Sequence, residues 1–337
     1  MGKSLKDIAD SLGLSKTTVS WTLSGKAERY GISEATQEKV RAKARELGYQ
    51  PNLLARSLHS GSTRTIGLIL PDITDYFFAD LANRIEEEAA SRDFCLMIGT
   101  SASKLEQESR LIRMFRNMQV DGILLAPTKT SYSDIEWLVK DRYPLVLLGR
   151  YFPEIKTSYV VVDNVGSTYR LVSNMIKRGC RKIACIVANP HLRPMSRRQE
   201  GYRQALADNG LAFDKRLFAE VSYEDYTSEL KVVMDRILRE VPDVDGFFFS
   251  THFLCLSGFC YFFNHGIDAR RFEMACVHGQ PFFECLSPKL HVARMPVGEI
   301  ARQTVSVLCE QMRPESERAL VPPAVREVVL QCSYPDD

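Results

Sequence analysis

Beyond residue 62 the chain alternates short apolar runs with longer amphipathic segments. The apolar runs are rich in β-branched and aromatic residues, which is typical of strands buried on both faces of a sheet. They cover residues 66–70, 95–99, 122–126, 145–148, 159–162, 183–187, 246–249 and 274–277. Helical spacing between them predicts helices at 78–92, 105–117, 167–178, 197–209, 230–240 and 299–311. This alternation predicts a doubly wound parallel α/β fold that is too long for a single sheet.

The first 50 residues follow a different pattern and predict three short helices. Ser4 is a good N-cap for the first helix, and Asp7 lies three residues later, where it completes a capping box. The apolar positions of this helix are Leu5, Ile8, Ala9 and Leu12. Gly13 then ends the helix.

Two further helices begin after Ser15 and after Ser33, both of which are good caps. In the second helix Val19 and Leu23 face inward. Its outward positions are Lys16, Thr17, Ser20 and Trp21. The inward face of the third helix is formed by Val40, Ala44 and Leu47. Gly48 and Pro51 then end the helix.

The outward face of the second helix carries residue types that can read bases. Lys and Thr offer hydrogen-bond donors and a methyl contact, and residues at a helix N-terminus reach base edges in the major groove. A solvated face on a small helical bundle explains the same spacing. Helix spacing alone therefore leaves both interpretations open.

The charge distribution favours nucleic acid as a partner. The chain has 337 residues, 45% hydrophobic residues and a net charge of +2. Residues 1–65 hold 11 Lys and Arg against six Asp and Glu, so this segment is basic and the remainder is mildly acidic. Lys and Arg bind phosphates by releasing condensed counterions.

No secretory signal or membrane span is evident in the sequence. The nine cysteines include no Cys-x-x-Cys pair, and we expect reduced, mostly buried thiols in a cytosolic protein.

The N-terminal motifs resemble the DNA-binding segment of the lactose-repressor/galactose-repressor (LacI/GalR) family. The resemblance covers residues 4–61 and continues through 65–73. It rests on Leu5-Lys6-Asp7-Ile8-Ala9, Ser15-x-x-Thr18-Val19-Ser20, Glu46-Leu47-Gly48-Tyr49-x-Pro51-Asn52 and Ala55-Arg56-Ser57-Leu58. Agreement at so many spaced positions favours the base-reading interpretation over the solvated face.

The resemblance implies that Lys16 and Thr17 open a recognition helix and that Trp21 occupies its third base-reading position. Many family members carry Arg there, which suits guanine, whereas Trp offers a single N–H donor. Either the operator differs at that base pair, which we favour, or Trp21 packs against sugar and thymine methyl groups. The implied DNA contacts of this segment are Ser4, Lys6, Ser15, Lys16, Thr17, Thr18, Ser20 and Trp21.

Residues 51–61 resemble the family's hinge helix and linker, which fold on operator DNA. The resemblance implies that Leu58 inserts into the minor groove together with its dimer mate. Residues 52–58 are too few for a stable isolated helix, and an inserted Leu kinks the duplex by unstacking one step. The implied hinge contacts are Asn52, Ala55, Arg56, Leu58 and His59.

The remainder, residues 62–337, resembles the two-lobed, periplasmic-binding-protein-like core of the family. We expect an N-lobe at about 62–162 and 294–323 and a C-lobe at about 163–293 and 324–337, after a helix-turn-helix domain at 1–50. Ligands of such sheets bind beyond the carboxyl ends of the strands, between the lobes. Neither common glycine-rich phosphate loop is present, so no cofactor is indicated.

The family motifs place effector-binding residues in that cleft. Asp75, Tyr76 and Phe77 follow the first strand, and Phe77 is expected to stack on the effector. Asp163 matches the strand end at the crossover. Arg198 matches an arginine that grips hydroxyls or a carboxylate.

Two motifs depart from the sugar-binding pattern. His252-Phe253 replaces an Asn-Asp pair, and His278-Gly279 stands where the family often has an acidic residue. We favour relaxed or repurposed specificity, with an apolar or aromatic-lined effector. A degenerate cleft is the next alternative, and a metal site would need ligands beyond the two histidines.

The sequence contains no nucleophile elbow, His-Glu-x-x-His motif or nucleotide loop, so we do not expect an enzyme. We expect a homodimeric transcriptional regulator, by family default a repressor, that binds a palindromic operator and a small sugar-like effector. The expected location is the bacterial cytoplasm, at the nucleoid. The alternatives are a solute-binding module and a regulator whose cleft does not respond to a small molecule.

Overall fold

The computed structural model describes residues 4–49, 61–128, 131–189, 191–223, 225–286, 290–313 and 324–334. The chain divides into two compact units, Met1–Thr63, here called the head, and Arg64–Asp337, here called the core. Each unit builds its own hydrophobic interior.

The head contains helices α1 (Leu5–Leu12), α2 (Lys16–Leu23) and α3 (Glu34–Glu46). Ser4 and Asp7 form the expected capping box, and Gly13 ends α1 in the left-handed conformation with φ 62°. Ser15 and Ser33 cap α2 and α3. The interior is formed by Ile8, Ala9, Val19, Val40 and Ala44. The inward faces expected from helical spacing are thus confirmed at these positions.

The first sheet of the core is parallel, with the strand order β11-β5-β4-β3-β1-β2. Its strands are β1 (Thr65–Leu70), β2 (Cys95–Thr100), β3 (Gly122–Leu125), β4 (Leu145–Leu148), β5 (Ser158–Val162) and β11 (Glu327–Leu330). Helices α4 (Tyr76–Ala90), α5 (Leu105–Asn117) and α6 (Tyr132–Lys140) connect the first four, and α11 (Val297–Gln311) packs against α4.

The second sheet is also parallel, with the order β10-β9-β8-β6-β7. Its strands are β6 (Ile183–Ala188), β7 (Phe218–Val221), β8 (Gly246–Phe249), β9 (Glu273–Val277) and β10 (Leu290–Ala293). The helices of this lobe are α7 (Asn164–Lys177), α8 (Arg193–Asp208), α9 (Tyr226–Glu240) and α10 (His252–Asn264). The expected two-lobed α/β architecture is confirmed.

The last strand corrects one expected boundary. We placed residues 324–337 in the second lobe, but β11 lies at the edge of the first sheet, where Glu327 pairs with Tyr159 and Leu330 with Val162. The reason is backbone hydrogen bonding: the amides of Tyr159 and Asp163 donate to the carbonyls of Arg326 and Leu330 at 2.9 Å. Without β11 this edge of β5 would lack its partners.

None of the helices in the described part of the chain is long and apolar enough to cross a membrane. All nine cysteines lie in the described ranges and are free thiols.

Candidate functional site

The head presents the outward face of α2. Lys16 and Thr17 are exposed, whereas Ser20 and Trp21 are half-buried. The hydroxyls of Ser15 and Thr18 share a 2.8 Å hydrogen bond, and the Ser15 Oγ also accepts the Thr18 N–H at 3.0 Å. These two side chains therefore order the first turn of α2.

Trp21 stacks on Tyr30, with ring centroids 3.7 Å apart and an interplanar angle of 7°. Sequence reasoning did not anticipate this pair, because Tyr30 ends a 3-10 helix, Glu28–Tyr30, that is too short to give a periodic signal. At the start of α1, Ser4 is engaged with Asp7, and Lys6 is exposed.

The expected hinge contacts lie outside the described residues. These are Asn52, Ala55, Arg56, Leu58 and His59.

The core contains a cavity of about 130 Å³ at the carboxyl ends of strands from both sheets, here called the cleft. The first sheet contributes Asp75 and Arg150, which follow β1 and β4. The second sheet contributes Asn189, Thr251 and His278, which follow β6, β8 and β9. This is the place where open α/β sheets bind ligands.

Arg198, on α8, is the buried cation of the cleft, with 5% of its surface exposed. Its Nε donates to Asn164 Oδ1 at 2.8 Å, and one terminal nitrogen donates to the Ser250 carbonyl at 2.5 Å. A third, weaker acceptor is the Met195 sulfur at 3.8 Å. All three partners are neutral, and burial lowers the pKa of the guanidinium to about 10. The guanidinium remains charged at neutral pH and forms no ion pair with a carboxylate among the described residues.

Asp75 and His252 form a pair across the two lobes. Asp75 caps α4 by accepting the Phe77 and Phe78 amides at 2.9 and 3.4 Å, and its other oxygen lies 3.5 Å from His252 Nε2. Burial raises the pKa of the Asp75 carboxyl, against the opposing effect of His252. Burial also lowers the pKa of His252, against the attraction of Asp75.

His278 is held in an unusual backbone conformation, with φ 64°. Its ring lies 5.5 Å from that of His252 and 5.3 Å from that of Phe77. Burial, with His252 and Arg198 nearby, lowers its pKa to about 3, so the imidazole is neutral. Both ring nitrogens are buried and have no hydrogen-bond partner in the described part of the chain. A neutral imidazole offers one donor and one acceptor, and here neither is used.

Arg150 is a second cation of the cleft, and sequence reasoning missed it. It donates to the Pro127 carbonyl at 2.8 Å, and burial lowers its pKa to about 10 against the attraction of Glu108. Glu108 is fully buried and accepts the Thr128 amide at 2.8 Å. The position of Arg150 just beyond a strongly apolar strand was the available sequence signal.

Aromatic side chains cover the cleft. Phe77 and Phe253 both line it, and Tyr223 packs edge-on against Phe253 at 5.3 Å. The Tyr223 hydroxyl donates to Asp72 of the first lobe at 3.2 Å. A second bond between the lobes runs from Arg193, whose guanidinium donates to the Tyr151 hydroxyl at 3.1 Å.

The structure brings six of the eight expected effector contacts to the cleft: Asp75, Phe77, Arg198, His252, Phe253 and His278. Tyr76 instead lines a neighbouring cavity of about 860 Å³ on the outside of α4. Asp163 does not line the cleft; its side chain caps α7 by accepting the Gly166 amide at 2.8 Å. Among the described residues, no group of three or more His, Cys, Asp or Glu side chains could hold a metal ion.

Comparison with protein families gives two matches. Residues 4–52 match the bacterial regulatory proteins of the lacI family. Residues 63–251 match the periplasmic binding proteins and sugar-binding domain of the LacI family.

Individual proteins resemble the chain over most of its length. The transcriptional repressor CytR of Escherichia coli K12 is 27% identical over 312 residues, which are 92% of this chain and 89% of the repressor. Two solved structures share the fold over 98% of both chains. They are a complex of the transcriptional regulator CelR with cellobiose, with a TM-score of 0.69 and 23% identity, and the lac repressor dimer bound to operator and an anti-inducer, with a TM-score of 0.83 and 15% identity.

Proposed function

Because the chain belongs to the LacI family of bacterial regulatory proteins, we propose that an effector bound in the cleft controls the binding of the head to operator DNA. The chain is a DNA-binding transcriptional regulator and not an enzyme. Repression is the mode we infer, in keeping with the related repressor CytR.

The buried charge of Arg198 carries the effector proposal. A guanidinium removed from water is costly unless hydrogen bonds and an opposite charge compensate it. Arg198 has three neutral acceptors, one of them a weakly accepting sulfur, and no carboxylate partner among the described residues. A ligand that places oxygen atoms on this guanidinium would supply the missing interaction.

The unused nitrogens of His278 support the same conclusion. A buried donor or acceptor without a partner costs about 1–3 kcal/mol, and His278 carries one of each. An effector hydroxyl can satisfy either nitrogen, because a hydroxyl donates and accepts.

We infer that the effector is a sugar or a related small metabolite. Hydroxyl and acidic oxygens suit Arg198 and Arg150, and the rings of Phe77 and Phe253 suit an apolar sugar face. The structurally similar CelR was solved with cellobiose.

We infer that the regulator binds a palindromic operator as a homodimer. One recognition helix reads only a half-site, so a two-fold axis matches two half-sites. The structurally similar lac repressor was solved as an operator-bound dimer. Direct contacts are assigned to α2, with Lys16, Thr17, Ser20 and Trp21 facing bases, and to the hinge, with Leu58 in the minor groove. The regulator acts where bacterial DNA lies, in the cytoplasm at the nucleoid.

The effector would act by shifting how the two lobes close. The bonds from Tyr223 to Asp72 and from Arg193 to Tyr151 already join the two lobes. An effector that contacts Arg150 of one lobe and Arg198 of the other would favour one closure state over another. The effector can change the fraction of protein that binds DNA only as far as its own affinity differs between those closure states.

The test is a thermal-shift screen of the full chain against neutral sugars, sugar phosphates, sugar acids, nucleosides and small organic acids. One stabilising class should raise the melting temperature of the wild type and of Arg197→Ala but not of Arg198→Ala. Arg197 is the matched control, because it is exposed and pairs with Glu200. A ligand bound at millimolar concentration, 100-fold above its Kd, stabilises by about 2.7 kcal/mol.

DNA binding is measured on the same protein by anisotropy with operator sequences selected from random duplexes. Failure to select any sequence would overturn the regulator proposal for this head. If the protein selects an operator but no ligand class raises its melting temperature, the alternative of a regulator whose cleft no longer binds an effector would be favoured.

A further inference from the structure

The stacked Trp21–Tyr30 pair lies outside the hydrophobic interior of the described head. The interior of the head is formed by other residues, and Tyr30 keeps 44% of its surface exposed. Parallel rings 3.7 Å apart nevertheless fix the indole in one orientation on the outward side of α2.

The segment after α2 is shaped to place Tyr30 on Trp21. The Trp21 carbonyl accepts the Lys26 amide at 2.9 Å, which turns the chain back at the end of the helix. Ala27 is buried, and its carbonyl accepts the amides of Tyr30 and Ile32 at 3.2 and 2.9 Å. The ring of Tyr30 is thereby carried on an anchored turn.

The stack limits what Trp21 can recognise. Its only donor is the indole N–H, so it cannot make the bidentate contact by which Arg reads guanine. One face of the indole is covered by Tyr30, which leaves the ring edge and the other face for a partner. In the major groove the apolar group available to such a surface is the thymine C5-methyl.

We propose that the Trp21–Tyr30 stack is a specificity element that selects thymine at one position of each operator half-site. The inference rests on the proposed function, because it requires that α2 enter the major groove. Tyr30 acts as a positioning residue: it holds the indole in place before DNA arrives, so less side-chain freedom is lost on binding. Arg29, whose guanidinium lies 5.8 Å from the Tyr30 ring centre, adds positive charge beside the stack.

The decisive experiment removes the methyl group from the DNA and leaves the protein intact. The operator is first selected from random duplexes with the full-length wild type, and each selected thymine is then replaced by deoxyuridine. One thymine per half-site should show a loss of about fourfold in affinity, the value of one buried methyl-sized group. The other thymines serve as controls, and 5-methylcytosine with guanine at the same position should recover part of the affinity.

Protein variants then assign the effect to the stack. Trp21→Arg should change the selected base from thymine to guanine, and Tyr30→Ala should reduce the deoxyuridine effect, whereas Tyr30→Phe keeps the ring and should preserve it. A selected operator in which every deoxyuridine replacement is neutral for the wild type would overturn the inference. Thymine selection that survives in a folded Trp21→Arg variant would do the same. Absence of any selected sequence would instead refute the proposed function.

Discussion

Gly201 sets the distance between the two helices that hold the buried arginine of the cleft. A Cβ at Gly201 on α8 would lie 2.3 Å from the Val165 carbonyl oxygen and 3.1 Å from the Tyr169 amide nitrogen of α7. These two neighbours are backbone atoms, and the third, Thr168 Cβ at 3.0 Å, is bonded directly to the backbone, so no side-chain rotation relieves the contact. Contacts become ordinary at 3.4 Å, so Gly201→Ala must separate the helices by about 1 Å.

Two opposing effects determine how much Gly201→Ala lowers the free energy of unfolding. Overpacking of a close helix contact costs about 1–3 kcal/mol, and Ala recovers up to about 1 kcal/mol of helix propensity over Gly. We expect a net loss of about 1–2 kcal/mol, or roughly 4 °C in Tm. The shift would also stretch the 2.8 Å bond between Arg198 and Asn164, so effector affinity should fall by about tenfold or more.

The matched control is Gly298→Ala on α11. A Cβ there meets no atom within 4 Å, and Gly298 is not among the glycines with positive φ. This variant should be neutral or gain up to about 1 kcal/mol and should leave effector affinity unchanged. Urea unfolding and thermal melts of the full-length protein measure both variants. If Gly201→Ala proved as stable and as effector-responsive as Gly298→Ala, the close-contact argument would be wrong.

Three further outcomes are expected. Arg198→Ala should abolish the effector-induced rise in Tm and keep the operator affinity measured by anisotropy within about twofold of the wild type. Loss of DNA binding in this variant would instead indicate that Arg198 has a structural role. The pKa of His278 is about 3 in the folded protein, below the ordinary 6.5, so the unfolded chain takes up the proton at a higher pH. The free energy of unfolding therefore falls as pH drops below about 6.5, by up to about 1.4 kcal/mol per pH unit. His278→Asn, which tolerates positive φ, should flatten this slope between pH 6.5 and 5 in urea titrations, and an unchanged slope would contradict the assignment. If Lys6 contacts a phosphate, Lys6→Ala should reduce the slope of log operator affinity against log salt concentration by about one unit. An unchanged slope would show that Lys6 makes no phosphate contact.

The periodic parts of the fold were accessible from the sequence. The strands Leu145–Leu148 and Gly246–Phe249 and the helix Leu105–Asn117 have the predicted bounds. These segments are continuous apolar runs or a helix with a sharply one-sided apolar face, so local pattern and tertiary environment agree. Other helices begin a few residues earlier than predicted, because a first turn such as that of α9 carries capping and polar residues rather than the apolar repeat.

Elements without a clear period were missed. The edge strands β7 and β11 have mixed polar and apolar residues, because each pairs with a neighbouring strand on one side only. Helix α10 is apolar nearly all round and shows no helical stripe. The predicted cleft residues came from motif positions. For Arg150 the only sequence signal was its position just beyond an apolar strand, and the stacking of Tyr30 on Trp21 depends on tertiary placement that a single sequence does not display.

The two sheets differ in the order in which their strands are synthesised. In the described part of the chain, the strands of the second sheet all lie between Ile183 and Ala293. The first sheet begins to emerge much earlier, yet its edge strand β11 and its packing helix α11 follow the whole second sheet in the sequence. At bacterial elongation rates the open edge of β5 waits on the order of ten seconds for its partner. During that interval the backbone groups at this edge of β5 lack their β11 partners, so the first sheet is completed only after the strands of the second sheet have been made.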